Sequence, residues 1–313
     1  MMKRPHDEVG PAVRGRPPDD SARTALVLGG GGSAGNAWLI GVLAGLSEGG
    51  ADPTRADVVV GTSAGSTAAA QILGATASDL LDAVLTPPAP PPARGSGTGP
   101  ARGRARLTIN HLERLRAIIA ASEDAVDWRR RMGAALASDA ASDDLTSERW
   151  RATVAARFPT RDWPMRRLLI TAVDADSGEP VVFDRRSGVD LVDAVAASCA
   201  GGFAYRVGDR RYIDGGYRAN ADNADLAAGC ARVLVLSPLG GRSLTPVEWG
   251  THLTDQVDAL RAEGSVVETV FPDDASRAAF GDDMMDPSTR PPAARAGYEQ
   301  GKRIAVQLAE LWS

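Results

Sequence analysis

The sequence predicts an α/β protein with a mostly parallel central sheet covered by helices. Two strand–turn–helix units follow each other near the start of the chain, over residues 24–50 and 56–75. Each unit combines a short apolar run, a glycine-containing turn and apolar residues at helical spacing. Alternating strands and helices of this kind favour a parallel sheet with helices on its faces.

The individual elements follow from apolar runs that end at Gly, Pro or Asp. Gly49 and Gly50 end the first helix, and a turn at Ser177–Gly178 separates the two strands of a hairpin. The predicted elements are, in order, strand Ala25–Leu28, helix Ala34–Leu46, strand Asp57–Val60, a helix from Ala64, strand Arg167–Val173, strand Pro180–Asp184, helix Leu191–Ala200, strand Arg211–Asp214, helix Ala224–Gly229, strand Arg232–Leu236, helix Val247–Ala262, strand Val266–Phe271 and a helix over 293–312.

The composition is that of a globular enzyme. Of the 313 residues, 43% are hydrophobic and 24% are charged, and no apolar run approaches the length of a membrane-spanning helix. The formal net charge of −5 argues against a nucleic-acid partner. The two cysteines, Cys199 and Cys230, belong to no metal-ligand motif, and we expect both to pack as small buried residues.

The chain divides into a tail and one domain. Residues 1–23 mix both charges with Pro and Gly and lack the apolar segment of a secretory signal, so we expect a disordered tail on a cytoplasmic protein. Residues 24–313 are predicted to form a single catalytic domain. Within it, residues 86–106 form a Pro/Gly/Arg-rich loop and residues 107–157 a helical insertion before the third core strand.

The strongest catalytic motif is Gly61-Thr62-Ser63-Ala64-Gly65, which matches G-x-S-x-G between a strand and a helix. In that context the turn is so sharp that larger residues at Gly61 and Gly65 would clash. The turn lifts the hydroxyl of Ser63 above the sheet, where the N-terminus of the following helix favours developing negative charge. The motif predicts that Ser63 is a nucleophile, whereas a serine that only caps the helix is the non-catalytic alternative.

A second motif is the glycine loop Gly29–Gly35, which follows the first strand. Its bare N–H groups next to a helix start suit an anion. One interpretation is an oxyanion hole for a tetrahedral intermediate. The other is nucleotide binding, since Gly30, Gly32 and Gly35 fit G-x-G-x-x-G. The second strand, however, does not end in the acidic residue that a dinucleotide site uses.

A third motif, Asp214-Gly215-Gly216, follows a predicted strand. A serine hydroxyl needs a base to take its proton, and Asp214 is a candidate for that base. His252 follows both residues, so a Ser-Asp-His esterase is formally available. Because His252 lies in a predicted helix and not in a loop after a strand, we favour Ser63 and Asp214 acting without it.

In this order, the three motifs resemble those of the patatin-like phospholipase family of lipid acyl hydrolases. The resemblance runs from about Leu26 to Leu239. It implies a three-layer α/β/α fold, a Ser–Asp dyad, a lipid ester substrate such as a phospholipid or an acylglycerol, and neither metal nor cofactor. The residues it implies are Ser63 and Asp214 as the catalytic dyad, Gly30, Gly31 and Gly32 as the oxyanion hole, and Gly35, Gly61, Gly65, Gly215 and Gly216 as motif support.

A basic stretch suggests a second partner. Residues 94–131 contain nine arginines against four acidic residues, a local excess of five positive charges. Near an anionic bilayer each such cation contributes roughly 1 kcal/mol of attraction. We therefore consider the hypothesis that this segment is a mobile lid that contacts anionic lipid headgroups, which would place a cytoplasmic protein at the membrane periphery; the alternative is a solvated, flexible loop.

Overall fold

The computed structural model describes four stretches of the chain. These are residues 23–86, 112–139, 142–158 and 160–312. The predicted tail, residues 1–23, lies outside them except for Arg23, and the predicted loop, residues 86–106, lies outside them except for Thr86.

The described strands form one mostly parallel sheet. They are β1 (Thr24–Leu28), β2 (Val58–Gly61), β3 (Arg167–Asp174), β4 (Pro180–Phe183), β5 (Tyr205–Val207), β6 (Arg210–Asp214), β7 (Arg232–Leu236) and β8 (Val266–Val270). Their order is β5-β6-β3-β2-β1-β7-β8, with β4 also paired to β3. Strands β3, β2, β1, β7 and β8 are parallel, whereas β4 and β6 run antiparallel to β3. The predicted sheet and its hairpin are therefore confirmed.

Helices follow most of the parallel strands. They are α1 (Gly32–Glu48), α2 (Ala64–Ile72), α3 (Ala77–Leu85), α4 (112–120), α5 (Ala125–Ala137), α6 (Asp144–Ala155), α7 (Leu191–Ser198), α8 (Leu253–Ala262), α9 (Asp274–Phe280) and α10 (Arg290–Trp312). Helices α4, α5 and α6 occupy the described part of the predicted insertion. Among the helices of the four stretches, none combines the length and the apolar character needed to span a bilayer.

The sheet is buried on both faces, as expected for parallel strands covered by helices. Along β1, Leu26 and Leu28 contribute to one apolar core, and Ala25 and Val27 contribute to the core on the other face. All four side chains are fully buried. This alternation holds β1 in a single register, so the loop that follows it has a defined place above the sheet.

Helices α1 and α10 approach each other closely because glycines line their contact. A Cβ atom at Gly41 would lie 2.1 Å from the carbonyl oxygen of Ala294, and one at Gly45 would lie 2.2 Å from that of Tyr298. Any side chain at these positions would push the helices apart. Since α1 begins at the glycine loop, this contact also holds that loop in place.

One helix begins later than predicted. Helix α8 starts at Leu253 and not at Val247, because Val247–Trp249 forms a separate 3-10 turn and Gly250 adopts a left-handed conformation with φ of 62°. A glycine in that conformation ends a helical turn. His252 consequently lies at the N-cap of α8, outside the helix interior in which the sequence placed it.

Candidate active site

Ser63 lies on a strained turn between β2 and α2. Its backbone has φ of 51° and ψ of −116°, a combination that a non-glycine residue rarely adopts. Such strain persists only where the surrounding structure enforces it, and it concentrates at functional sites. The Ser63 side chain is partly exposed, whereas its chain neighbours Thr62 and Ala64 are buried.

The two glycines of the serine motif are required by backbone contacts. A Cβ atom at Gly65 would lie 1.9 Å from the carbonyl oxygen of Leu28, and one at Gly61 would lie 2.6 Å from the Cα of Ser66. Neither contact could be relieved by a side-chain rotation, because the obstructing atoms belong to the backbone. The turn therefore packs against the end of β1.

The antiparallel course of β6 brings Asp214 to the level of Ser63. Gly61, at the end of β2, is paired with Ile170 of β3, and Asp214, at the end of β6, is paired with Ala172 of the same strand. Along β3, the partner of Asp214 is thus two residues further on than the partner of Gly61. Ser63 follows Gly61 by two residues in the chain. Because β4 pairs with the other edge of β3, β2 and β6 follow one another along the same edge, and the residues that follow β2 meet the end of β6 there.

The Asp214 side chain is buried next to Ser63. Its Oδ1 accepts a hydrogen bond from the backbone N–H of Gly216 at 2.8 Å. Burial raises the pKa of the carboxyl group to about 6, although hydrogen bonds from the Gly216 N–H and the Ser63 side chain oppose that rise. The group is therefore largely ionised at neutral pH and can still accept a proton.

The glycine loop lies directly against Ser63, since a Cβ atom at Gly30 would lie 3.4 Å from the Cβ of Ser63. The N–H of Gly30 donates to the carbonyl oxygen of Ala221 at 2.8 Å. In the described parts of the chain, by contrast, the N–H groups of Gly31 and Gly32 have no acceptor. Gly30, predicted as an oxyanion donor, thus has its N–H engaged elsewhere, and Gly31 and Gly32 keep theirs available.

Other motif glycines lie in close contact with fixed neighbours. A Cβ atom at Gly215 would lie 2.1 Å from the Thr171 Oγ1, and one at Gly35 would lie 3.0 Å from the Cβ of Pro238. At Gly216 the nearest atom would be the Asp214 Oδ1, at 3.2 Å. These glycines allow the loops after β1 and β6 to pack tightly around the site.

A buried polar network, which the sequence did not reveal, joins the turn after β2 to the loop after β6. The side-chain amide of Asn223 donates to the Thr62 Oγ1 at 3.0 Å and to the carbonyl oxygen of Gly215 at 3.0 Å. The Thr171 hydroxyl also donates to the Thr62 Oγ1, at 2.9 Å. Asn223 is fully buried and left-handed, with φ of 56°. The one sequence signal was a threonine within the otherwise apolar strand β3.

The end of α7 supports the serine turn from below. The Ser198 Oγ accepts a hydrogen bond from the backbone N–H of Ser63 at 2.9 Å, and the Cys199 thiol donates to the Ser63 carbonyl oxygen at 3.1 Å. Burial, followed by the charge of Asp214, raises the pKa of the Cys199 thiol. Cys199 is therefore a neutral donor that supports the turn. It is only partly buried, whereas the sequence predicted a buried residue, and Cys230 is buried as predicted.

A second buried carboxylate lies behind the glycine loop. The Asp222 Oδ1 would be 2.1 Å from a Cβ atom at Gly29, and this oxygen has no hydrogen-bond partner among the residues that the structure describes. Burial raises the pKa of Asp222 to about 7, and a hydrogen bond with the Ser237 side chain partly offsets this. Ionisation of this buried group therefore lowers the stability of the folded state.

His252 makes local contacts at the start of α8. Its Nε2 lies 2.7 Å from the carbonyl oxygen of Thr245, and its ring accepts the Asp255 N–H in a capping box at the start of α8. Both ring nitrogens are thus used in local contacts. Among the described residues, no group of three or more His, Cys, Asp or Glu side chains is arranged to hold a metal ion.

Comparison with known proteins gives one family. The model of the patatin-like phospholipase family matches residues 26–227 of the chain. No curated protein matches the sequence.

Two solved structures also match this chain. VipD from Legionella pneumophila is 13% identical, with a TM-score of 0.42, and the match covers 92% of this chain and 67% of VipD. The type III effector protein ExoU is 16% identical, with a TM-score of 0.36. That match covers 92% of this chain but only 54% of ExoU, so the chain spans about half the length of that protein.

Proposed function

Because the chain belongs to the patatin-like phospholipase family, and is therefore a lipid ester hydrolase, we propose that it cleaves carboxylic esters through a dyad of Ser63 and Asp214. The observation that carries the proposal is the strained turn that holds the Ser63 hydroxyl beside a buried carboxylate whose pKa is about 6. A base with that pKa is ionised at neutral pH and retains enough proton affinity to act.

In the first half of the reaction, the Ser63 Oγ attacks the acyl carbonyl carbon while its proton passes to Asp214. The carbonyl oxygen becomes an oxyanion, which the free N–H groups of Gly31 and Gly32 stabilise. The tetrahedral intermediate then collapses to an acyl-enzyme. Asp214 returns the proton to the leaving alcohol as the original ester bond breaks.

In the second half, Asp214 takes a proton from a water molecule that attacks the acyl-enzyme. The same N–H groups hold the second oxyanion, and the Ser63 Oγ regains a proton from Asp214 as the fatty acid leaves.

Gly30 has a different role from Gly31 and Gly32. Its N–H does not face the oxyanion but fixes the loop to the carbonyl oxygen of Ala221.

The substrate we propose is a phospholipid or an acylglycerol. The decisive experiment measures fatty-acid release from a panel of both lipid classes by wild type and by Ser63→Ala. We expect release from at least one class by wild type and background release by the variant, with Ser187→Ala, an exposed serine outside the site, as the matched control. Equal release by wild type and Ser63→Ala would overturn the dyad.

We further propose a peripheral contact between the basic stretch, residues 94–131, and an anionic bilayer. The described part of this stretch is partly neutralised. Asp127 pairs with Arg130 and Arg131, and Arg129 donates to two backbone carbonyl oxygens. The attraction would therefore depend on Arg116, which is exposed, and on Arg94, Arg102, Arg104 and Arg106, which lie outside the described residues.

Vesicle co-sedimentation tests this contact. We expect wild type to bind phosphatidylglycerol vesicles more tightly than phosphatidylcholine vesicles. A variant with glutamine at residues 94, 102, 104 and 106 should lose that preference, because the contact is electrostatic. Equal binding of wild type to both vesicle types would remove the proposal.

A further inference from the structure

A cavity lies at the end of the sheet opposite Ser63. Its volume is about 570 Å³, within the range of small-molecule sites. The residues that line it are Arg23, Arg55, Asp57, Val58, Met165, Arg166 and Arg167. They belong to the N-terminal ends of β1, β2 and β3 and the turns that precede them, whereas the Ser63 turn and the glycine loop follow the C-terminal ends of β2 and β1.

The cavity is strongly cationic. Four guanidinium groups and one carboxylate line it, a formal excess of three positive charges in a protein whose net charge is −5. The carboxylate belongs to Asp57 and has another role. Its Oδ2 accepts hydrogen bonds from the Thr24 backbone N–H at 2.8 Å and from the Thr24 hydroxyl at 3.1 Å.

Three of the arginines form no ion pair within the described parts of the chain. They are Arg55, Arg166 and Arg167. Arg166 donates one hydrogen bond, to the carbonyl oxygen of Thr54, which orients its guanidinium without neutralising it. Like charges grouped around one cavity repel each other, and an anion bound between them would relieve that repulsion.

The backbone that carries these arginines is held firmly. Arg167 is paired with Val58 at the first position of the β2–β3 ladder. Arg55 ends a short 3-10 turn that Asp52 caps by accepting the Thr54 N–H. The Cα positions from which these arginines extend are thus fixed around the cavity, so only the side chains have to be ordered on binding.

We propose that this cavity binds a multiply charged phosphate anion, such as a pyrophosphate or a phosphate ester. Guanidinium groups form bidentate hydrogen bonds to phosphate oxygens, and several arginines around one polar cavity suit more than one phosphate charge. The site is separate from the proposed catalytic site. It therefore stands or falls independently of the hydrolase mechanism.

Isothermal titration with inorganic pyrophosphate tests the site. We expect saturable binding by wild type in the micromolar range that weakens as salt is added. Arg55→Gln and Arg167→Gln should each weaken binding about tenfold or more, because each removes a charged hydrogen-bond donor. Arg242→Gln, at an exposed arginine outside the cavity, is the matched control and should bind like wild type.

Thermal unfolding gives a second measurement that does not depend on activity. Pyrophosphate should raise the Tm of wild type and of Arg242→Gln, since a ligand that binds only the folded state stabilises it. It should raise the Tm of the double variant Arg55→Gln/Arg167→Gln much less. No saturable binding by wild type, or equal binding by wild type and a double variant whose unliganded Tm is unchanged, would overturn the proposal.

A third measurement distinguishes a phosphate that is free in solution from the phosphate of a lipid headgroup. If the natural ligand is free in solution, wild type and the double variant should bind phosphatidylglycerol vesicles equally well while differing in pyrophosphate affinity. Loss of vesicle binding in the double variant, with no change in pyrophosphate affinity, would contradict the assignment to a soluble anion.

Discussion

The Ser198 Oγ accepts a hydrogen bond from the backbone N–H of Ser63 at 2.9 Å. The contact joins the end of α7 to the strained turn after β2, across 135 residues of sequence. It satisfies the Ser63 N–H at the point where the backbone leaves ordinary conformations. Ser198 is itself fully buried. The strain at Ser63 is therefore sustained partly from outside the G-x-S-x-G motif.

Ser198→Ala should lower kcat about tenfold, because a small displacement of the nucleophile slows attack strongly. It should also lower the free energy of unfolding by about 1 kcal/mol, the usual net contribution of one hydrogen bond. Steady-state kinetics and urea unfolding measure the two effects. Ser187→Ala, at an exposed serine, is the control, and a Ser198→Ala enzyme with wild-type kcat would show that the contact does not position Ser63.

The pH dependence of activity should follow Asp214. Its pKa is raised to about 6, and only the ionised form can accept the proton of Ser63. We therefore expect kcat/KM to rise with pH through about 6 and to level off above about 7. Initial rates on a soluble ester between pH 4.5 and 8.5 test this. A profile that is flat across that range would contradict Asp214 as the base.

Stability should depend on pH through Asp222. Its folded-state pKa is about 7, above the ordinary 3.8, so between these values the folded state holds more protons than the unfolded state. Stability therefore falls as pH rises through that window. A shift of about three pKa units corresponds to an upper bound of about 4 kcal/mol.

Asp222→Asn should remove this cost, so it should stabilise the protein at pH 8 and change little at pH 4. Urea unfolding at both pH values gives the comparison. Asp282→Asn, at an exposed aspartate, is the control. Equal effects of Asp222→Asn at the two pH values would show that the carboxylate is not destabilised by burial.

His252→Ala should keep ester hydrolysis within about twofold of wild type, because its ring contacts Thr245 and caps α8. The lost cap should cost about 1 kcal/mol of stability. Steady-state kinetics of His252→Ala and Asp214→Asn distinguish a dyad from a triad. The rate of ester hydrolysis should fall at least about 10³-fold in Asp214→Asn. Comparable losses in both variants would favour a Ser-Asp-His triad.

The parts of the site that could be predicted from sequence are those whose geometry is local. Gly61 and Gly65 are needed because of a sharp turn within five residues, and their spacing around Ser63 indicates that turn directly. Asp214 was identified because glycines follow it at the end of a strand. In each case, neighbouring residues determine the backbone conformation that matters.

The parts that sequence reasoning missed depend on distant pairing. Asn223 reaches Thr62 across 161 residues, so neither residue alone indicates the contact. Likewise, the loss of the Gly30 N–H as an oxyanion donor depends on Ala221, which the fold brings beside the glycine loop. The start of α8 was misplaced because an apolar pattern from Val247 onward concealed the left-handed Gly250.

Site-specific labelling tests the central claim most directly. A fluorophosphonate probe forms a stable adduct only with an activated serine, and peptide mass spectrometry locates it. We predict one adduct on Ser63 in wild type, none in Ser63→Ala, and labelling at least about 10²-fold slower in Asp214→Asn because the base is lost. An adduct on another serine, or unchanged labelling rates in Asp214→Asn, would contradict the Ser63–Asp214 dyad.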